Sequence, residues 1–208
     1  TPGLALQSTG NEVIRMGQIV EDSLMVAKDV LFTLKDGDIQ FLKEEEATVD
    51  RLSAGITNYA IKVGALQISE KEHQDVAHLL QVVSDMERIS DYCENISEFA
   101  ETLYEKKASF SEIGEEQLKE MMEVCTDSYR YALKAFENQD RAMALKVIEK
   151  ETQADNLELR LRNKHIQRLA NNQCKTEAGI VYLDTLVCLE RISDHARNIA
   201  EEVLERNA

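Results

Sequence analysis

A thirteen-residue phrase occurs twice in this chain, at residues 86–98 and again at residues 189–201. An internal repeat constrains the fold strongly, because each copy is expected to build the same structural unit. The copies are offset by 103 residues and share eight identities: Glu87/Glu190, Arg88/Arg191, Ile89/Ile192, Ser90/Ser193, Asp91/Asp194, Asn95/Asn198, Ile96/Ile199 and Glu98/Glu201. A duplicated helix does not need Glu, Arg, Ser, Asp and Asn at fixed places merely to fold. The shared polar residues are therefore candidates for function.

The composition indicates a helical protein and excludes several classes of partner. The chain has 208 residues, of which 43% are hydrophobic and 30% charged, with one proline and no tryptophan. Its net charge of −15 argues against nucleic-acid binding and against docking on an anionic membrane, and it suits cation binding or simple solubility. No apolar run approaches the ~20 residues needed to span a bilayer, so we expect no insertion of this segment into a membrane. The four cysteines lack a C-x-x-C spacing, which leaves no zinc or redox pattern.

Hydrophobic periodicity and helix breakers predict an all-α chain of six long, antiparallel helices. Apolar residues recur at three- and four-residue steps over 82–103 and again over 189–203, as in the seam of a helical bundle. We expect helices over residues 10–35, 39–66, 69–106, 115–138, 141–171 and 177–206, with residues 107–114 as a linker. The chain would then be one domain, 1–208, with a first three-helix repeat over 8–107 and a second over 113–206.

Four pairs of carboxylates with a Glu-x-x-x-Asp spacing are the candidate binding residues. Residues four apart share one helix face, and the pairs of the repeated phrase lie about 160° from the seam isoleucine, so they are expected to face outward. Like charges this close repel one another, and a cation between two pairs would remove the penalty. Oxygen ligands favour hard ions such as Mg²⁺, Ca²⁺ or Mn²⁺, or iron. A solvated acidic face is the alternative. The duplicated register favours metal binding at Glu46, Asp50, Glu87 and Asp91 and at Glu151, Asp155, Glu190 and Asp194.

Other polar residues of the repeated phrase have less specific interpretations. Arg88 and Arg191 either bridge to carboxylates of an adjacent helix or stay in solvent. Asn95 and Asn198 are either additional or supporting groups of a metal site, or they form hydrogen bonds between helices. His195 points about 100° away from the aspartate before it, so we expect no ligand role for this residue.

The segments 87–91 and 190–201 resemble the signature of the PhoU family of phosphate-transport regulators. That signature is an acidic residue, three further residues and an aspartate, commonly in a Glu-Arg-Ile-Gly-Asp-like phrase; Ser90 and Ser193 stand where glycine is usual. The resemblance covers nearly the whole chain, because both repeats and all four pairs fall in the expected order. It implies two pseudo-symmetric three-helix bundles, with iron, zinc, magnesium or similar ions at the eight carboxylates named above. It also implies regulation of phosphate uptake, not catalysis.

The first residues of the chain extend the resemblance. Residues 1–6 and 12–17 are similar to the junction before the cytosolic PhoU-like C-terminal domain of bacterial sodium/phosphate cotransporters. This similarity implies a cytoplasmic regulatory domain tethered to the inner face of the plasma membrane. Its partners would be the transmembrane transporter portion or other phosphate-transport and sensor proteins, with a homodimer as a further option. A free-standing PhoU-type negative regulator of phosphate signalling is the alternative. A metal-free helical scaffold is another, and so is a di-metal carboxylate enzyme, which would need two Glu-x-x-His motifs facing a bundle core.

Overall fold

Six long helices and the turns between them make up residues 2–206, the part of the chain described by the structure, a computed structural model. They are α1 (Pro2–Val30), α2 (Asp38–Gly64), α3 (Glu70–Glu105), α4 (Glu112–Asn138), α5 (Arg141–Ala170) and α6 (Thr176–Arg206). No strand occurs among the described residues, so the all-α prediction is confirmed. Of the six helices described, none is both long and apolar enough to cross a membrane.

The first helix differs most from its predicted range, which was 10–35. It begins at Pro2, because proline in the first turn of a helix gives up an N–H group that would have no helical partner there. Beyond Val30 the chain turns, and the carboxylate of Asp38 accepts the backbone N–H three residues before it at 3.2 Å. Gly37, at φ 92°, takes the left-handed backbone conformation that favours glycine and leads into α2. The helix α1 thus ends five residues before its predicted end, and these local contacts lie in the turn between α1 and α2.

Side-chain caps fix the starts of α3 and α4, as they do that of α5. Ser69 and Glu72 form the capping box that their spacing predicts: Glu72 accepts the Ser69 N–H at 2.8 Å, and Ser69 Oγ accepts the Glu72 N–H at 3.3 Å. His73 belongs to the same cap, since its ring nitrogens lie 3.1 and 3.2 Å from two backbone carbonyl oxygens. Ser111 caps α4 by accepting a backbone N–H at 3.2 Å, so this helix begins before its predicted start at residue 115.

The helices pack as two groups of three. Within each group, α1 to α3 or α4 to α6, every helix contacts the other two, and the groups meet where α3 packs on α6 and α1 on α4. The outer helices α2 and α5 contact only helices of their own group. The predicted seam is buried in both groups at Met86, Ile89, Cys93 and Ile96 and at Leu189, Ile192, Ala196 and Ile199. The predicted pair of three-helix bundles is therefore confirmed.

The close contact between α1 and α4 depends on Gly17. A Cβ atom at this position would lie 2.5 Å from Cδ1 of Leu133 and 2.8 Å from Cε of Met86, closer than carbon atoms approach without a shift. The carbonyl oxygen of Gly17 accepts a hydrogen bond at 2.7 Å from the hydroxyl of Tyr129, which is fully buried. The hydroxyl of a buried tyrosine needs such a partner, so this bond fixes α4 against α1.

A buried polar contact joins α3 to α6. The carboxylate of Asp85 lies 2.8 Å from Nδ1 of His195 and accepts a hydrogen bond from Nδ2 of Asn198 at 3.0 Å. The residue that corresponds to Asp85 in the second repeat is Cys188, and the side chain of Asn95 bonds to its thiol. Both asparagines of the repeated phrase therefore make hydrogen bonds between helices, which was one of the two predicted roles. His195 likewise faces Asp85 and not the predicted metal ligands.

Candidate metal centres

The packing of α2 against α3 brings together three predicted ligands of the first repeat. Glu46 and Asp50 lie one turn apart on α2, and Asp91 reaches them from α3. One carboxylate oxygen from each residue lies within 4.8 Å of the other two. Mg²⁺ and Ca²⁺ bind oxygen at roughly 2.0–2.6 Å, so oxygens at this separation can share one ion. We call these three residues the first cluster.

Glu87, the fourth predicted ligand of this repeat, lies beside the first cluster. Its Oε2 accepts a hydrogen bond from the hydroxyl of Ser53 at 3.2 Å. Burial raises the pKa of Asp91, and the charge of Glu87 raises it further. Glu87 therefore adds negative charge beside the cluster, while its Oε2 atom is bonded to Ser53.

The first cluster is more acidic than the predicted pairs alone. Glu94 lies on the same face of α3, seven residues after Glu87, and sequence reasoning missed it because the second copy has no acidic residue there. The pKa of Glu46 is raised to about 7, mainly by burial and further by the charges of Asp50 and Glu94. Burial also raises the pKa of Glu94, and the charge of Glu98 adds to the increase. The pKa values of Asp91 and Glu94 are thus raised although Arg88 and Lys43 partly offset the increases.

The metal-free protein is expected to lose stability as the pH rises from about 4.5 to about 7. In this window the folded chain keeps a proton on Glu46 that the unfolded chain has released, because the pKa is about 7 in the fold and ordinarily 4.5. The penalty of the raised pKa is thus absent below pH 4.5 and complete above pH 7. Since Glu46 is partly exposed, solvent screening limits the loss to about 1 kcal/mol of unfolding free energy.

Urea unfolding at pH 5 and pH 8, with a chelator present, measures this loss. Glu46→Gln removes the titrating group, so the difference between the two pH values should shrink. Glu44→Gln is the matched control, because Glu44 is exposed and lies only two residues away. An unchanged pH dependence in Glu46→Gln would show that another group is responsible.

The packing of α5 against α6 forms a matching cluster in the second repeat. Glu151 and Asp155 of α5 meet Asp194 of α6, and again one oxygen from each lies within 4.8 Å of the other two. Burial raises the pKa of Asp155, as does the charge of Glu151. Glu190 lies beside this second cluster, and its pKa is raised by burial and by the charge of Asp194. The structure thus assembles three of the four predicted carboxylates in each repeat.

One contact of the second cluster departs from the sequence prediction. The carboxylates were expected to face outward, but Glu151 is only 5% exposed. Nη1 of Arg197 lies 2.9 Å from Oε1 of Glu151, and Nε of Arg197 lies 2.9 Å from Oε1 of Glu201. A buried carboxylate needs a partner of opposite charge, and this guanidinium supplies it. Arg197 was missed because the glutamate it covers lies on another helix, 46 residues earlier in the chain.

The two arginines of the repeated phrase stay on the surface. Nη1 of Arg88 is 3.3 Å from Oδ2 of Asp91. Arg191 lies 3.7 Å from both Glu190 and Asp194. Each arginine pairs with its own helix and is more than half exposed, so these ion pairs contribute little to stability. Of the two predicted roles, the structure favours a solvated side chain over a bridge to an adjacent helix.

A third group of ligand-type residues lies where α3 meets α6. His78, Glu202 and Glu205 each offer a ligand atom within 4.8 Å of the others, and nothing in the repeated phrase singles them out. Nδ1 of His78 contacts a carboxylate oxygen of Glu202 directly. This contact between the two bundles accounts for the position of His78 without an ion.

The first and second clusters fit a hard cation. Their donors are carboxylate oxygens alone, which suit Mg²⁺, Ca²⁺, Mn²⁺ or iron better than softer metals. A bound ion would neutralise the carboxylates of Glu46, Asp91 and Asp155, whose pKa values are raised by burial and by neighbouring charges. The residues that would hold the ions are Glu46, Asp50 and Asp91 in the first repeat and Glu151, Asp155 and Asp194 in the second.

Comparison with known sequences finds the same family twice along the chain. The family described as the PhoU domain matches residues 13–100 and again residues 118–203. PhoU homolog 1 of Thermotoga maritima, an accessory protein of the phosphate-specific transport system, is 28% identical over 195 residues, which cover 93% of this chain and 83% of that protein. YjbB of Salmonella typhimurium, named for inorganic phosphate export, is 23% identical over 208 residues, which cover 99% of this chain and 38% of that protein.

Solved structures show the same arrangement of helices. The crystal structure of PhoU from Pseudomonas aeruginosa has a TM-score of 0.93 at 22% identity, with 100% of this chain and 99% of that chain covered. The phosphate transport system regulatory protein PhoU from Streptococcus pneumoniae has a TM-score of 0.86 at 21% identity, with 100% and 97% covered. At these identities the likeness establishes the fold, and it extends over both three-helix bundles.

Proposed function

The chain belongs to the PhoU domain family, and we propose that it is a non-catalytic regulator of phosphate transport that binds metal ions. The family match over residues 13–100 and 118–203 includes the main part of both bundles. The relative from Thermotoga maritima is named as an accessory protein and the neighbour from Streptococcus pneumoniae as a regulatory protein of phosphate transport. These names support a regulatory role for this chain.

An accessory protein of the PhoU type fits the comparisons better than a cotransporter domain. The alignment with the Thermotoga maritima accessory protein spans 83% of that protein, whereas the alignment with YjbB spans 38% of the longer export protein. The hypothesis of a cotransporter domain, which residues 1–6 and 12–17 suggested, becomes the alternative. We propose phosphate-transport and sensor proteins as partners and the cytoplasm as the location. A homodimer stays a prediction.

The observation that carries the metal-binding part of the proposal is the duplicated three-carboxylate cluster. In each repeat a Glu and an Asp from one helix meet an Asp from the next, with oxygens within 4.8 Å. A single cluster of acidic residues on a surface is common without an ion. Two clusters with the same residue types on equivalent helices support a common function, because folding alone does not need like charges brought together.

Asp50→Asn combined with Asp91→Asn is expected to remove one bound metal equivalent and leave the helix content unchanged. Asparagine keeps the shape of aspartate and removes its charge, so lost binding with intact helicity indicates ligation. Elemental analysis of protein purified without a chelating resin, followed by calorimetric titration with Mn²⁺, measures the number of equivalents. Glu116→Gln combined with Glu120→Gln is the matched control, since it removes the same charge from exposed positions on α4.

Unchanged metal content in the first double variant would mean that the first cluster is misassigned. The regulatory part of the proposal is tested in cells that lack their own PhoU-type protein. There the unsubstituted chain should restore phosphate-dependent control of uptake, and the variant without the first cluster should not. Restoration by both would separate regulation from metal binding.

A further inference from the structure

One of the five positions at which the copies of the repeated phrase differ exchanges an acidic residue for a basic one. Glu94 of the first repeat corresponds to Arg197 of the second, at the same offset of 103 residues as the shared residues. A glutamate and an arginine differ by two units of charge. In the second repeat Nη1 of Arg197 lies 2.9 Å from the buried carboxylate of Glu151. In the first repeat the equivalent position is occupied by the carboxylate of Glu94, close to Glu46.

A second exchange of the same kind lies one residue before each cluster. Glu45 of the first repeat corresponds to Lys150 of the second, at the offset of 105 residues that relates α2 to α5. Nζ of Lys150 lies 3.8 Å from Oδ2 of Asp127 on α4. The residue equivalent to Asp127 is Asp22 on α1, which repels Glu45. Acidic residues of the first repeat are thus replaced by basic ones at two independent places.

The net charges of the two repeats differ in the same sense, since the first repeat is more negative than the second. Residues 8–107 contain 20 acidic and 10 basic residues, a net charge of −10. Residues 113–206 contain 18 acidic and 14 basic residues, a net charge of −4.

Cations elsewhere on the first face do not compensate. Nζ of Lys43 is directed to Glu101 at 3.3 Å. Arg88 has an equivalent in Arg191, so this pair does not distinguish the repeats. The excess of negative charge lies on the side of the first cluster.

We propose that the two clusters are unequal metal sites, in which the first takes an added divalent or trivalent cation and Arg197 acts as the built-in cation of the second. This inference rests on the proposed metal-binding function. Arg197 donates a hydrogen bond to Oε1 of Glu151, so it competes with a metal ion for that carboxylate.

In the first cluster Asp91 contacts an exposed guanidinium, that of Arg88, which has an equivalent in Arg191 of the second repeat. Glu94 adds to the attraction of the first cluster for a cation. Arg197 is therefore a specificity-determining residue that sets the order in which the sites fill.

Calorimetric titration with Mn²⁺ tests the inequality on four proteins. The unsubstituted protein should show one equivalent that binds at least about tenfold more tightly than the next. Arg197→Gln should strengthen the weaker equivalent by about tenfold, and Glu94→Arg should weaken the tighter one by a similar factor. Arg160→Gln is the control, because it removes an exposed arginine of α5 that pairs with Glu120, away from both clusters.

The possible results distinguish the inequality of the two sites from the proposed metal binding itself. Two equal equivalents that neither Arg197→Gln nor Glu94→Arg alters would overturn the inequality and leave the proposed metal binding intact. No binding of Mn²⁺ by any of the four proteins would overturn both. Arg197→Gln uncovers a buried glutamate, so its fold is checked by circular dichroism. If it does not fold, Glu94→Arg decides alone, since Glu94 is only half-buried and unchanged binding there would overturn the inference.

Discussion

Replacement of Asp85 by alanine is expected to lower the free energy of unfolding by about 3 kcal/mol. The Asp85 residue is 2% exposed, and its carboxylate accepts hydrogen bonds from Asn198 of α6 and, at 3.1 Å, from Gln81 of its own helix. Without the carboxylate these amides lose their acceptor in a site with little access to water, at a cost of about 1–3 kcal/mol each. His195, whose side chain is 22% exposed, can turn to solvent and reduces the total.

Thermal and urea unfolding measure this loss, which corresponds to a fall in melting temperature of roughly 6–12 °C for a chain of ~200 residues. Asp85→Asn keeps the shape and one acceptor oxygen, so it should cost less. Cys188→Ala is the matched control at the equivalent position of the second repeat, where no carboxylate is lost. A change below about 0.5 kcal/mol in Asp85→Ala would mean that this contact does not stabilise the packing of α3 on α6.

A divalent metal ion is expected to raise the melting temperature by ~5–10 °C. Each cluster gathers carboxylates that repel one another in the folded chain and become ligands when a cation is present. Binding to the folded state alone adds RT ln(1 + [L]/Kd), or about 2.7 kcal/mol at a hundredfold excess over Kd. For ~200 residues, each kcal/mol shifts the melting temperature by ~2–4 °C. The carboxylates of the unfolded chain bind ions weakly and reduce the shift only slightly.

Sodium chloride at equal ionic strength is the control for screening. Monovalent salt weakens repulsion between exposed charges but cannot replace coordination, so its effect should be smaller. The shift should also shrink in the double variant Asp50→Asn and Asp91→Asn. If sodium chloride matches Mn²⁺, the clusters are an ordinary solvated acidic face and the metal-site proposal fails.

The sequence was sufficient for the helices and their buried faces because both follow from a period of 3.6 residues. Ile89 and Ile192 are each fully buried, as their places in the seam predict. The carboxylate clusters were predictable for a related reason: the Glu-x-x-x-Asp spacing puts both side chains on one face, and duplication marks which pairs matter. The repeat limits 8–107 and 113–206 stay a prediction.

Other features depend on contacts that no period encodes. A helix-long pattern of apolar residues does not report where α1 ends, nor the turn before α2 with its hydrogen bond to Asp38 and the backbone of Gly37. The burial of Glu151 under Arg197 requires the relative position of α5 and α6. Glu94 and Arg197 differ in type, so their exchange lay outside the residues shared by the two copies, from which the candidate ligands were taken.

The outer positions of α2 and α5 give a bound ion a particular mechanical effect. Each of these helices contacts only the other two helices of its own bundle, whereas α1, α3, α4 and α6 also contact the opposite bundle. Local opening begins where a segment has the fewest packed neighbours, so α2 and α5 are the layers that separate first. The first cluster joins α2 to α3, and the second joins α5 to α6. An ion shared across either boundary therefore raises the free energy needed to separate α2 or α5 from its own bundle. Its effect on the helices at the centre of the molecule is smaller.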